Sequence, residues 1–180
     1  MHGNLQLIVV RRTLTDSGCR SVVKQLSPSR TWELLPPARS DRTSKVTAPL
    51  TADDVNEFLR SGWSSSRNVC TEVGPRHAVA TLAVEEAQIR PGNLISGPTQ
   101  FALADAVLWF AVFGAIGIEP MAVTSELSIR FLRPAIGLEL TARAELHTVG
   151  RRTMVGSVSV WTSDPSKPCA IAQGTYLRPA

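Results

Sequence analysis

The stretch Phe101-Ala-Leu-Ala-Asp-Ala-Val-Leu-Trp-Phe-Ala-Val-Phe-Gly-Ala-Ile-Gly-Ile118 decides how this chain folds. Its 18 residues carry a single charge, Asp105. A bilayer span needs about 20 apolar residues, and a carboxylate at its centre costs about 3 kcal/mol. Gly114 and Gly117 predict that the helix stops around Phe113, shorter still. A helix that is apolar on every side and followed by strands reads as a core helix wrapped by a sheet, not as a membrane segment.

The strands lie on both sides of it. Over 121–132, Met121, Val123, Leu127, Ile129 and Phe131 alternate with Thr124, Glu126, Ser128 and Arg130. Over 138–149, Leu138, Leu140, Ala142, Ala144 and Leu146 alternate with polar residues, the period of two expected of a half-buried strand. Turns at Gly150-Arg151-Arg152 and Asp164-Pro165 introduce further strands at 154–161 and 169–177. Upstream, two strands are expected at 69–73 and 78–84, joined around Gly74-Pro75-Arg76. A short helix is expected over 51–60, with Thr51 as N-cap, Asp53 and Asp54 in the first turn and Gly62 past the end. Residues 88–96 read as loop. Short connections predict an antiparallel meander, so the fold class is α+β, with about six strands and one buried helix.

The chain has 180 residues and a formal net charge of +4, with 43% hydrophobic residues. That composition excludes a disordered chain, a collagen-like fibre and a disulfide scaffold. The charge is uneven. Residues 1–45 carry eight bases against three acids, leaving +5, and the other 135 residues carry 11 bases and 12 acids. Residues 1–45 therefore read as a basic, disordered or dispensable N-terminal extension, and 46–180 as a single domain. The six-residue apolar run at 5–10 is short for a signal-peptide core, and its arginines follow it instead of preceding it. A nucleic-acid partner is not expected, since no helix-turn-helix pattern or set of stacking aromatics accompanies the basic segment.

Cys19, Cys70 and Cys169 form no CxxC pair, and His2, His77 and His147 are scattered, so neither a metal site nor a Ser-His or Cys-His centre is expected. No glycine-rich phosphate loop occurs, and no cofactor is expected. Asp105 stands apart. A carboxylate among apolar helix neighbours is a candidate general base or nucleophile. The alternative is a carboxylate facing solvent on a partly exposed helix. Just before the helix, Ile95-Ser-Gly-Pro-Thr99 makes a tight helix entry, with Pro98 suited to the first position. Its free N–H groups could hold a carbonyl or oxyanion. Asp105 two turns further on would then pair a carboxylate with an electrophilic end, which suits acyl-group hydrolysis.

The residues Arg90-Pro-Gly, Ile95-Ser-Gly-Pro, Leu103-Ala-Asp-Ala106, Ala122-Val-Thr124, Phe131-Leu-Arg-Pro134, Gly150-Arg-Arg-Thr153 and Gly174-Thr-Tyr176, in this order, resemble the hot-dog-fold thioesterases of the PaaI-like acyl-CoA family. The resemblance covers about residues 50–180. It implies a long helix wrapped by an antiparallel sheet, with two protomers forming a continuous sheet, active sites at their interface, and a homodimer or homotetramer. It carries the family's catalytic carboxylate onto Asp105, its oxyanion-hole glycine onto Gly97, and a water-positioning hydroxyl onto Thr124. By analogy, Arg151 and Arg152 would meet the phosphates of CoA. The sequence departs from the family where His-Gly-Gly is replaced by Ser96-Gly97-Pro98. The upstream substrate-placing Asn is replaced near Arg90, with Asn93 a substitute, and Ser128 stands where an Asn is usual. The expectation is a cytoplasmic acyl-CoA thioesterase without metal or cofactor, and the alternative is a non-catalytic acyl-CoA-binding module.

Overall fold

Thr51 opens the first helix, α1 (Ala52–Gly62), with a reciprocal cap. Its hydroxyl accepts from the Asp54 N–H at 3.2 Å, and the Asp54 carboxylate accepts from the Thr51 N–H at 2.8 Å. The Thr51 hydroxyl also donates to the Asp54 carboxylate at 2.6 Å, and this bond, with that from the Thr51 N–H, holds the Asp54 carboxyl below the usual carboxylate range. Gly62, expected just beyond the helix, is its last residue, and the Trp63 N–H closes the final turn onto Leu59 O at 2.8 Å. The computed structural model describes residues 49–179. The expected extension 1–45 and its boundary at Val46 lie outside the described residues.

Beyond α1 come β1 (Asn68–Gly74), β2 (His77–Ala83), β3 (Ile89–Arg90), β4 (Leu94–Ile95), the helix α2 (Gly97–Ile116), then β5 (Val123–Phe131), β6 (Glu139–Val149), β7 (Thr153–Trp161) and β8 (Ala170–Leu177). Six strands form one antiparallel sheet in the order β1-β2-β6-β7-β8-β5. The expected meander is therefore confined to β6–β7–β8. β5 lies at the far edge beside β8, with Ser128 opposite Gln173 and Thr124 opposite Tyr176. Alternation in a sequence fixes which face a residue shows but not which strand is its neighbour. The segment 88–96, expected as loop, contains the two-residue strands β3 and β4, joined through Gly92 and Asn93 at φ +92° and +56°.

α2 extends to Ile116, one turn past the expected stop at Phe113, and ends at Gly117 with φ +85°. Gly114 does not break the helix. It sits so close to β1 that a Cβ there would lie 2.0 Å from Gly74 O, so the glycine permits close packing of helix on strand. Ser96 is the N-cap, Gly97 the first helical residue and Pro98 the second, one position later than expected. α2 is long and apolar enough to cross a bilayer, but more than half of it is buried in the domain. Leu103, Val107, Phe110 and Phe113 pack with Leu140, Met154 and Val160 from the sheet and with Val55 and Leu59 from α1.

Candidate active site

Asp105 is half-buried on α2, facing the start of β5 and the end of β8. The Thr124 hydroxyl donates to Asp105 Oδ1 at 2.7 Å, and the Tyr176 hydroxyl donates to the same oxygen at 2.8 Å. Tyr176 also reaches Asp105 O at 3.1 Å. The three residues meet because β5 and β8 pair with Thr124 directly opposite Tyr176. Tyr176 is 3% exposed, and burial together with the Asp105 carboxylate pushes its phenol far above the usual tyrosine range. It remains a donor at any working pH. Oδ1 is thus fixed twice, while Oδ2 has no hydrogen-bond partner among the described residues. A carboxylate held by one oxygen and open at the other suits attack on a carbonyl or deprotonation of water.

Thr124, expected to position water, donates its hydroxyl to the carboxylate. Tyr176 was not among the expected site residues. It is the only tyrosine in the chain, a compositional signal, but its contact with Asp105 spans 71 positions and follows only from the strand register.

Gly97 opens α2, where the N–H of a first helical residue has no partner within the helix. Ser96 Oγ shares a 2.7 Å hydrogen bond with Thr99 Oγ1 and accepts from the Thr99 N–H at 3.4 Å, which fixes the helix start. Gly97 lines a cleft of about 340 Å³ with Arg90, Gln100, Phe131 and Arg133. Gly97 and Asp105, expected to pair on one element, both lie on α2. Eight residues of helix separate them by about 12 Å, too far to share one substrate carbonyl. Asn93 is exposed, holds its left-handed turn conformation and is absent from the Gly97 cleft lining. Arg151 and Arg152 lie apart from both Asp105 and Gly97, lining a cleft of about 470 Å³ with Arg178 and Glu119. Arg178 joins them because its N–H donates to Arg152 O at 2.9 Å, beyond the end of β8. Two positions separate Arg178 from Tyr176, about 7 Å of extended chain. Among the described residues no group of three or more His, Cys, Asp or Glu is placed to hold a metal ion.

The family model described as "Thioesterase superfamily" matches residues 92–169, which span β4, α2, β5, β6, β7 and the turn before β8. Among solved structures, a protein of Silicibacter sp. TM1040, provisionally called a thioesterase, is 27% identical with a TM-score of 0.66, over 73% of this chain and 93% of that one. The chain resembles the thioesterase superfamily and has its hot-dog fold. The PaaI protein of the E. coli phenylacetic acid degradation operon is 25% identical with a TM-score of 0.57, over 71% of this chain and 92% of that one. For a thioesterase of Haemophilus influenzae the values are 24%, 0.61, 71% and 90%, a likeness of hot-dog fold alone. No curated protein matches the chain. The superfamily match and the Silicibacter structure are likenesses to proteins described as thioesterases.

Proposed function

We propose that the protein is a PaaI-like acyl-CoA thioesterase in which Asp105 attacks, or activates water to attack, a thioester carbonyl held by the Gly97 N–H. The observation that carries this reading is the Asp105 carboxylate, with Oδ1 held by Thr124 and Tyr176 and Oδ2 open. In the water route, Asp105 Oδ2 takes a proton as the water oxygen bonds to the carbonyl carbon. The negative charge that develops on the carbonyl oxygen is met by the Gly97 N–H and the helix N-terminus behind it. Collapse then breaks the C–S bond, and the thiolate leaves to collect the proton.

Because about 12 Å separates the two groups along α2, the site takes Asp105 from one subunit and Gly97 from another. β5 is the edge that favours such pairing. Its residues are mostly exposed, including Val123 and Phe131 at 52% each, so an apolar rim borders unpaired backbone. At the opposite edge, β1 is covered by α1. Asn56 Nδ2 donates to Cys70 O, and the Cys70 N–H donates to Asn56 Oδ1, both at 2.8 Å. Antiparallel pairing of two β5 strands about Leu127–Ser128 would set Thr124 against Phe131 of the partner subunit, bringing Asp105 toward the partner's Gly97. Phe131 already lies against Gly97 within one chain, where a Cβ would come within 3.2 Å of the ring.

Arg151, Arg152 and Arg178 give the CoA phosphates a cationic cleft a short way along β8 from Tyr176. Ser96 supports the oxyanion donor through the helix start, and Asn93 has a turn-forming role. Buried free thiols at Cys70 and Cys169 suit a reducing, cytoplasmic setting.

The test is thiol release from short-, medium-, long-chain and aryl acyl-CoAs by the wild type and by Asp105→Asn. Turnover lost by at least about a hundredfold, with the fold unchanged, is the expected result. Equal turnover in both proteins would refute the assignment. Saturable binding without hydrolysis by the wild type would leave an acyl-CoA-binding module.

A further inference from the structure

The cleft at the start of α2 holds two guanidinium groups, Arg90 from β3 and Arg133 from the segment after β5. Neither has an ion pair among the described residues, and no Asp or Glu of the same chain lines the cleft. The remaining walls are apolar, chiefly Leu94, Ile95, Phe131 and Pro134. Gln100 completes them. It is 4% exposed, and its Nε2 donates to Ile95 O at 3.2 Å, but its Oε1 accepts from no donor. The Gln100 oxygen calls for a donor and so does not itself select an anion; the two guanidiniums over an apolar floor do, because they present unused donors. The cleft is chemically unfinished in the ligand-free chain.

We propose that this cleft is an anion-binding subsite for the thioester substrate, in which Arg90 and Arg133 hold the oxygens of a carboxylate or phosphate carried on an apolar stem. The proposal rests on the thioesterase reading and adds a substrate class to it. Guanidinium forks match both anions bidentately, and the positive end of the α2 dipole favours the same sign of charge, while the Gly97 N–H is kept for the thioester carbonyl. The apolar walls select a ligand whose charge lies at the end of a hydrocarbon segment. That describes an acyl chain ending in a carboxylate. The phosphates of CoA offer the same chemistry from the other side of the thioester, although Arg151, Arg152 and Arg178 already form a separate cationic cleft for them.

Four substrates separate the two sources: hexanoyl and adipoyl thioesters, each on CoA and on pantetheine. Thiol release is measured with the wild type, Arg90→Gln and Arg133→Gln. If the subsite holds an acyl carboxylate, each variant raises KM about ten- to hundredfold for the adipoyl thioesters, with hexanoyl values little changed. If it holds a phosphate, the same rise follows the CoA thioesters over the pantetheine ones. Changes of equal size across all four substrates, or no change in any, overturn the subsite. Equilibrium binding of the four compounds to Asp105→Asn, with and without each arginine substitution, keeps this result distinct from failure of the hydrolase reading. Arginine-dependent affinity for the anionic ligands, with no turnover by the wild type, supports the subsite while removing the hydrolase. Arginine-independent affinity overturns the subsite.

Discussion

Asp105 keeps one carboxylate oxygen occupied and leaves the other open, and its neighbours have divided roles. Tyr176→Phe keeps the buried ring but removes the donor to Oδ1. The expected effect is a fall in kcat of roughly ten- to hundredfold with little change in stability, read from steady-state thiol release and a thermal melt. Wild-type kcat in this variant would show that the carboxylate needs no second anchor. In the proposed mechanism Gly97 acts through its backbone N–H, so only proline removes the group. Gly97→Pro is compatible with the first position of a helix and should lower kcat by about a hundred- to a thousandfold, whereas Gly97→Ala retains the N–H and should lose far less. Similar losses in the two variants would point to crowding against Phe131 instead of a lost donor. At this scale the sequence revealed Asp105 because a lone charge stands out in an apolar run. It concealed Tyr176, whose role depends on a strand pairing 71 positions away.

At the level of elements, the same glycine residue type has two meanings in α2. Gly117 ends the helix through a positive φ, as its position suggested, but Gly114 lies inside the helix and admits the β1 backbone. A sequence pattern cannot separate a stop from a close approach, because the difference lies in what packs against the residue. Gly114→Ala would improve helix propensity in an isolated helix. Here its Cβ would meet Gly74 O at 2.0 Å, so a loss of about 3 kcal/mol in urea unfolding is the expected outcome. A neutral or stabilising result would mean that α2 and β1 can separate without cost. The strand positions were largely legible for the opposite reason, since alternation is a local property of a half-buried strand. The position of β5 beside β8 was not, because neighbours in a sheet are chosen by the path of the whole chain.

The two halves of the proposed chemistry lie on one helix, yet about 12 Å apart, and the exposed strand next to them is the unprotected edge of the sheet. On the proposed mechanism, fold, edge and site share one requirement: a second copy of the chain paired through β5. Composition gave no view of this requirement, because the edge residues alternate like those of any strand, and the net charge of the described domain is close to neutral. The most direct measurement mixes two inactive proteins, Asp105→Asn and Gly97→Pro, under conditions that exchange subunits. In a mixed dimer one of the two sites combines an intact Asp105 with an intact Gly97 from the other chain. The expected result is recovery of about a quarter of wild-type turnover at equal mixing, while each variant alone stays inactive. Formation of mixed dimers by analytical ultracentrifugation with no recovered turnover would contradict a hydrolytic site shared between two subunits.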